Sequence, residues 1–297
     1  MSGASDAAPS TPRAAARGEG WKVVRDVLRS PGAAAGAILL LLLVLGAALA
    51  PLVAPFDPNE TGAGMRLAAP DAVHLMGTDL FGRDVFSRVL HGGRYSLAIG
   101  LATVAVSLVF GATLGAAMGY FGGRLDSVAG RAVDVMLGFP PLVLAILIVA
   151  VLGVGLWSAA LAVGIAGIPR FARVIRGATL SIASQPFIEA AQAAGTRRLL
   201  ILARHVAPNL APTLIVMTTL ELGGAILSTA TLSFLGLGAQ PPAPEWGTML
   251  SAGREFVRYA PWTMIFPGLA LFIAVMAVNL LGDRLSAVLD PRLRGRS

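Results

Sequence analysis

Uncharged, apolar runs broken by short arginine-bearing stretches dominate the chain, at 30–56, 95–123, 135–169, 206–220 continuing past Glu221 to 244, and 259–282. A helix needs roughly 20 apolar residues to cross a hydrocarbon core about 30 Å thick. As one helix the 135–169 run would measure about 52 Å, too long for a single crossing. Gly153-Val154-Gly155 lies near its middle and supplies a turn, which predicts two spans, 132–152 and 155–174, and six in all. The pattern therefore predicts an all-α, polytopic membrane protein. It has a tail at 1–29, a first transmembrane helix at 30–56, an extracytoplasmic loop at 57–94, a core at 95–290 holding spans two to six, and a short tail at 291–297. Residues 1–20, rich in Ser, Pro, Ala, Gly and Arg, are expected to be disordered. The first apolar run begins only near Gly32 and is longer than a signal core, so it reads as an anchor.

Composition agrees: with 56% hydrophobic and 13% charged residues the chain is no ordinary soluble domain. The net charge of +7 does not point to nucleic acid, because the basic residues sit at the ends of apolar runs. With six spans and the N-terminus inside, seventeen of the 23 Lys and Arg fall on the cytoplasmic side, as the positive-inside rule requires. A five-span chain would move the six arginines of 170–207 outside and reverse the asymmetry. Both termini are thus expected in the cytoplasm. Cys is absent, which excludes a disulfide framework and thiolate metal sites.

The cytoplasmic segment 176–207 is long, basic and rich in small residues, a composition suited to docking. Pro186 and Gly195 punctuate it, predicting two helical turns from Phe187 to Ala194. Thr196 is placed to cap a second helix, 197–206, leading into span five. Ala190, Ala191, Ala193 and Ala194 leave a nearly bare surface that another protein can approach closely, while Glu189, Arg197 and Arg198 add directional charge. Glu189-Ala190-Ala191, three residues, Gly195 and the downstream Pro208 resemble the signature loop of ABC importer permeases. His205 and Ala207 depart from the general pattern, though His before that Pro occurs in the peptide-importer branch.

Three further stretches resemble the dipeptide/oligopeptide/nickel branch, specifically the C-type permease of the pair: His74 to Asp84, Leu232 to Gly238 running into Pro241-Pro242 and Trp246-Gly247, and Asn279 to Asp283 with Leu289 to Arg292. The resemblance covers roughly 30–295. It implies the ABC type I importer permease fold, with the 187–194 helix as the coupling helix of the cytoplasmic ATPase. It also implies a second homologous permease, two ATP-binding cassette subunits and an extracytoplasmic binding protein, in a bacterial inner or plasma membrane. Cargo is then expected to be dipeptides or oligopeptides, with nickel chelates or other small solutes as alternatives. ATP and Mg would be used by the partner ATPases, with no cofactor in this chain.

Glu221 is the one acid deep within an apolar span, and such groups face a water-filled path or find a partner. It either lines the translocation route or hydrogen-bonds a neighbouring helix or subunit. Thr229 stands where relatives often carry an acid, making it the second candidate pathway residue. Asp79, Arg83 and Asp84, with His74, suggest an external loop held by Asp–Arg pairs; one His with two Asp is also a conceivable metal set. Gly111, Gly115 and Gly119 form a ridge for close helix packing. Pro140-Pro141 and Pro267 should kink their helices. Trp246 and Trp262 suit anchoring at the outer interface. No phosphate-binding loop, paired metal histidines or nucleophile elbow is present, so the energy is expected to come from a partner. An ion-driven secondary transporter, with Glu221 as the coupling group, and a non-transporting scaffold are the rival readings.

Overall fold

The structure, a computed structural model, describes residues 25–289; most of the expected tail 1–29 and the whole of 291–297 lie outside the described residues. The end of that first tail is ordered, contrary to expectation. Val27 is buried, and Asp26 pairs with Arg29 at 3.6 Å. The described residues build α1 (Pro31–Ala48), the short α2 (Ala50–Val53), α3 (Val85–Phe121), α4 (Gly123–Leu137), α5 (Pro141–Leu152) and α6 (Leu156–Ala183). There follow α7 (Pro186–Ala193), α8 (Arg198–Ile201), a π turn (Leu202–Val206), α9 (Ala207–Phe234), α10 (Trp246–Gly253) and α11 (Trp262–Leu289). Among the described residues five stretches are long and apolar enough to cross a membrane: α1, α3, α6, Arg198–Phe234 and α11. The bent pair α4–α5 supplies a sixth.

Several expected boundaries shift, each for a visible reason. Span two starts at Val85, not 95, so the preceding loop ends at residue 84. Its first turn is capped by Asp84, whose carboxylate accepts the Ser87 N–H at 2.7 Å. Arg88, expected in the loop, is buried within the helix because its guanidinium donates to the carbonyls of Pro58 (2.6 Å) and Pro242 (3.2 Å). The expected span 132–152 is two helices meeting at 98°, with the break at Gly138-Phe139-Pro140. Proline without an N–H cannot continue the ladder of α4, so the kink predicted at Pro140-Pro141 takes this form. α11, in contrast, runs through Pro267 uninterrupted. The turn at Gly153-Val154-Gly155 is where it was expected, with Gly153 at φ +86° and Gly155 at φ +156°. Span four continues to Ala183 rather than 174, carrying three arginines expected in the loop. Span five ends at Phe234, short of 244, where Gly236 at φ +81° turns the chain back.

α3 and α6 form the most extensive interhelix contact of the bundle. They run parallel, because Gly111, Gly115 and Gly119 meet residues 168–171, 172–176 and 176–179 in the same order. A Cβ at Gly111 would lie 2.8 Å from the Ile168 carbonyl, and one at Gly119 2.7 Å from that of Arg176. The glycine ridge thus lets two backbones touch. α1 starts beside the C-terminal part of α11, Gly32 facing Leu280, so both described ends lie at the end of the bundle that carries α7. At the other end Val85, Val89, Ile226, Trp246, Met249 and Leu271 form a core drawing on α3, α9, α10 and α11. Trp246 is therefore not an interfacial anchor. It is 1% exposed, and its indole donates to the Val89 carbonyl at 2.9 Å. α10 folds inward instead of lying on the surface.

Candidate functional site

The segment between α6 and α9 forms the site that the sequence singles out. Pro186 opens α7 in its first turn, where a missing N–H is harmless. Gly195 closes it at φ +75°. The Gly195 N–H reaches the Gln192 carbonyl (2.9 Å) and the Thr196 N–H that of Ala191 (3.2 Å), the paired bonds of a left-handed helix cap. Thr196 does not cap α8: that helix starts at Arg198, so Arg197 holds the N-cap position, with no side-chain cap bond. Nor is the second helix separate. The π turn, closed by the Ala207 N–H on the Leu202 carbonyl, merges it with α9 and brings Pro208 into the first turn of the α-helical stretch.

Burial divides this segment in two. Ile188 and Ile201 are completely buried with Ile175, Val206 and Leu210, fastening α7 and α8 to α6 and α9. Glu189, Ala190, Gln192, Ala193, Ala194, Gly195, Arg197 and Arg198 are exposed, and Ala191 is half-buried. Leu199 adds an apolar side chain that is 72% exposed, an unusual expense in water unless something covers it. The sequence reading named the exposed half and missed Ile188 and Ile201; their spacing across a glycine turn gives no helical period to read.

Three ion pairs descend α6. Arg170 reaches Glu221 of α9 at 2.8 Å, Arg173 reaches Asp134 of α4, and Arg176 grips Asp126 of α4 through two contacts of 2.5 and 2.6 Å. Glu221 thus has a partner on a neighbouring helix. Thr229 is 2% exposed, and its hydroxyl donates to the Ala225 carbonyl of its own helix at 2.9 Å.

At the opposite end the 54–84 loop is tied internally. Asp79 accepts the Arg83 side chain at 2.6 Å and the N–H groups of Phe81 and Arg83. Asp84, fully buried, holds Ser87 and the His74 ring (3.0 Å). The Asp–Arg expectation thus applies to Asp79 and Arg83, while Asp84 pairs with His74. The exposed Asp71 carboxyl is held below its ordinary range by the backbone N–H groups of His74 and Val73. Among the described residues no three His, Asp or Glu side chains gather as a metal set.

Glu245 is a residue the sequence reading passed over. It is 1% exposed and caps α10, accepting the N–H groups of Gly247 and Thr248 at 2.9 Å and the hydroxyls of Thr248 (3.1 Å) and Ser96 (3.2 Å). Each carboxylate oxygen takes a backbone N–H, so an amide NH2 in either orientation would set its hydrogens against a backbone donor. Glu245→Gln is expected to destabilise the fold by about 2 kcal/mol, seen as a lower Tm of the detergent-solubilised chain.

Residues 111–295 match the family of binding-protein-dependent transport system inner membrane components. The chain belongs to that family. Residues 20–70 match a second description, the N-terminal TM domain of oligopeptide transport permease C. The chain is similar to the dipeptide transport system permease protein DppC of Alkalihalophilus pseudofirmus, 44% identical over 275 residues, 92% of this chain and 90% of that one. It is 42% identical to the di/tripeptide transport system permease protein DppC of Pseudomonas aeruginosa, over 89% of each chain. It is 43% identical to the glutathione transport system permease protein GsiD of Pectobacterium atrosepticum, over 91% of this chain and 90% of that one. A chain of the inward-facing MetNI methionine ABC transporter shares the fold, with a TM-score of 0.56 at 20% identity over 68% of this chain and 96% of that one. This permease family membership favours a transporter over an isolated scaffold.

Proposed function

We propose that the chain is one of two permease subunits of an ATP-driven importer of short peptides in a bacterial cell membrane. A homologous second permease completes the path, one of two ATPase subunits docks on α7 and the other on the second permease, and an extracytoplasmic binding protein delivers cargo to the 54–84 end. The α7 end is cytoplasmic, which puts the basic segment 170–207 inside. The observation that carries this reading is the two-sided α7–α8 segment: a bare, exposed surface of small residues bolted to the bundle by Ile188 and Ile201. The alanines and Gly195 admit a close neighbour without ordering long side chains. Its buried underside passes any displacement to α6 and α9 together. ATP binding closes the ATPase pair, the segment moves with it, and the helices rock between inward- and outward-facing states. ATP and Mg2+ belong to the partner subunits.

Cargo follows from the relatives, whose printed substrates are dipeptides, di/tripeptides and glutathione. All are short peptides with charged ends. The test is reconstitution of the complete complex in proteoliposomes, with ATPase activity and uptake measured over dipeptides, tripeptides, glutathione and a nickel chelate. Dipeptides or tripeptides are expected to stimulate ATPase activity and to accumulate only with ATP. Stimulation by the nickel chelate alone overturns the cargo. Uptake that survives ATP depletion and collapses with an uncoupler overturns the driving mechanism.

A further inference from the structure

A cavity of about 570 Å3 lies between α3, α4 and α6, at the end of the bundle that carries α7. Its walls include Ser127, Arg131 and Asp134 of α4, one or two helical turns apart, with Arg173 and Arg176 of α6 and Asp126. Both signs of charge converge there, in a solvent-open groove. Opposite charges set side by side complement a solute that carries both. The size is that of a small-ligand site.

The two ion pairs bordering this cavity differ in strength. Arg176 and Asp126 meet through two contacts, and Asp126 is 23% exposed. Arg173 and Asp134 meet through a single contact, with side chains 60% and 62% exposed. A solvated single-contact pair is worth only about 0–1 kcal/mol and so exchanges partners readily. Arg131, one turn from Asp134, makes no ion pair or hydrogen bond among the described residues. Two guanidiniums and one carboxylate are therefore available to a ligand, Arg131 and Asp134 one turn apart on α4 and Arg173 facing Asp134 from α6.

We propose that this cavity is a way-station for the peptide, with its terminal carboxylate on Arg131 and Arg173 and its ammonium group on Asp134. A simple anion would meet the carboxylates and a simple cation the arginines; a zwitterion meets neither obstacle. An extended dipeptide spans roughly 7 Å, comparable to the spacing of about 5–6 Å between Cβ atoms one helical turn apart. The proposal rests on the peptide-import reading above and adds where in this chain the cargo is held.

The absence of Cys makes the test clean. Ser127→Cys places a single thiol on the cavity wall, in a complex whose partner chains are also cysteine-free. During ATP turnover, a dipeptide that saturates the binding protein should slow labelling of this thiol by a membrane-permeant maleimide, and its C-terminally amidated form should not. Arg131→Gln should lower uptake of the free-acid dipeptide about tenfold, the scale of one charge-assisted hydrogen bond, and leave uptake of the amide nearly unchanged. Dipeptide uptake with unaltered labelling and an unaffected Arg131→Gln variant overturns the site and leaves the importer reading standing. Equal losses for acid and amide make Arg131 structural and also overturn it. A complex that imports no peptide overturns both.

Discussion

Gly195→Asp abolishes ATP-driven uptake while the chain still inserts at wild-type levels. Gly195 stands at φ +75° with nothing within 4 Å of where a Cβ would project, so no atom is displaced. The cost to the fold is the left-handed conformation alone, about 1 kcal/mol for an L residue, well below a typical stability of 5–15 kcal/mol. What changes is the surface. A carboxylate now projects from the turn that closes α7, where Ala193, Ala194 and Gly195 had allowed close approach. Loss of about 2.8 kcal/mol of docking corresponds to a hundredfold fall in coupled transport. Membrane levels by immunoblot, uptake in proteoliposomes and co-purification of the ATPase separate the effects. Normal uptake by this variant removes α7 as the coupling element.

Gly115→Val depletes the chain from the membrane at least about tenfold. A Cβ at Gly115 falls on the carbonyl oxygen of Ala172 and within 3.0 Å of the Arg176 nitrogen, both backbone atoms that no rotamer can clear. α3 and α6 must separate along their whole contact, at a cost of at least about 3 kcal/mol. Gly177→Val on the exposed side of α6 is the control, since nothing lies within 4 Å of its Cβ direction. Valine is also the better helix former. Immunoblots of membranes should show the first variant depleted at least about tenfold and the second at wild-type abundance. Equal abundance of the two removes the glycine ridge as the packing determinant.

The sequence made these two positions legible for different reasons. Gly195 announces itself through punctuation, a proline nine residues before it and a run of alanines between. Gly111, Gly115 and Gly119 announce themselves through a four-residue period on an apolar helix. The turn at 153–155 was equally clear, because an apolar run too long for one crossing needs a break. The boundaries that moved are those where charge was taken as the end of a helix. Arg88 and Arg170 to Arg176 lie inside helices because carbonyls, Glu221, Asp134 and Asp126 meet them from other elements. Such partners are 30 or more residues away in sequence and invisible to any local pattern. Trp246 went wrong in the same way: its partner is a carbonyl on a helix 157 residues earlier.

The π turn at Leu202–Val206 has a mechanical meaning. It joins α8 to α9, so that residues 198–234 form one continuous helical stretch of 37 residues, roughly 55 Å long. One end carries Ile201, seated against the docking segment, and the other carries Ile226 and Ala230, seated against Trp246. A lever of that length swings its far tip by roughly 1 Å for each degree of tilt. A few degrees of tilt at the α7 end therefore shift this helix by several ångström against Trp246 at the far end of the bundle.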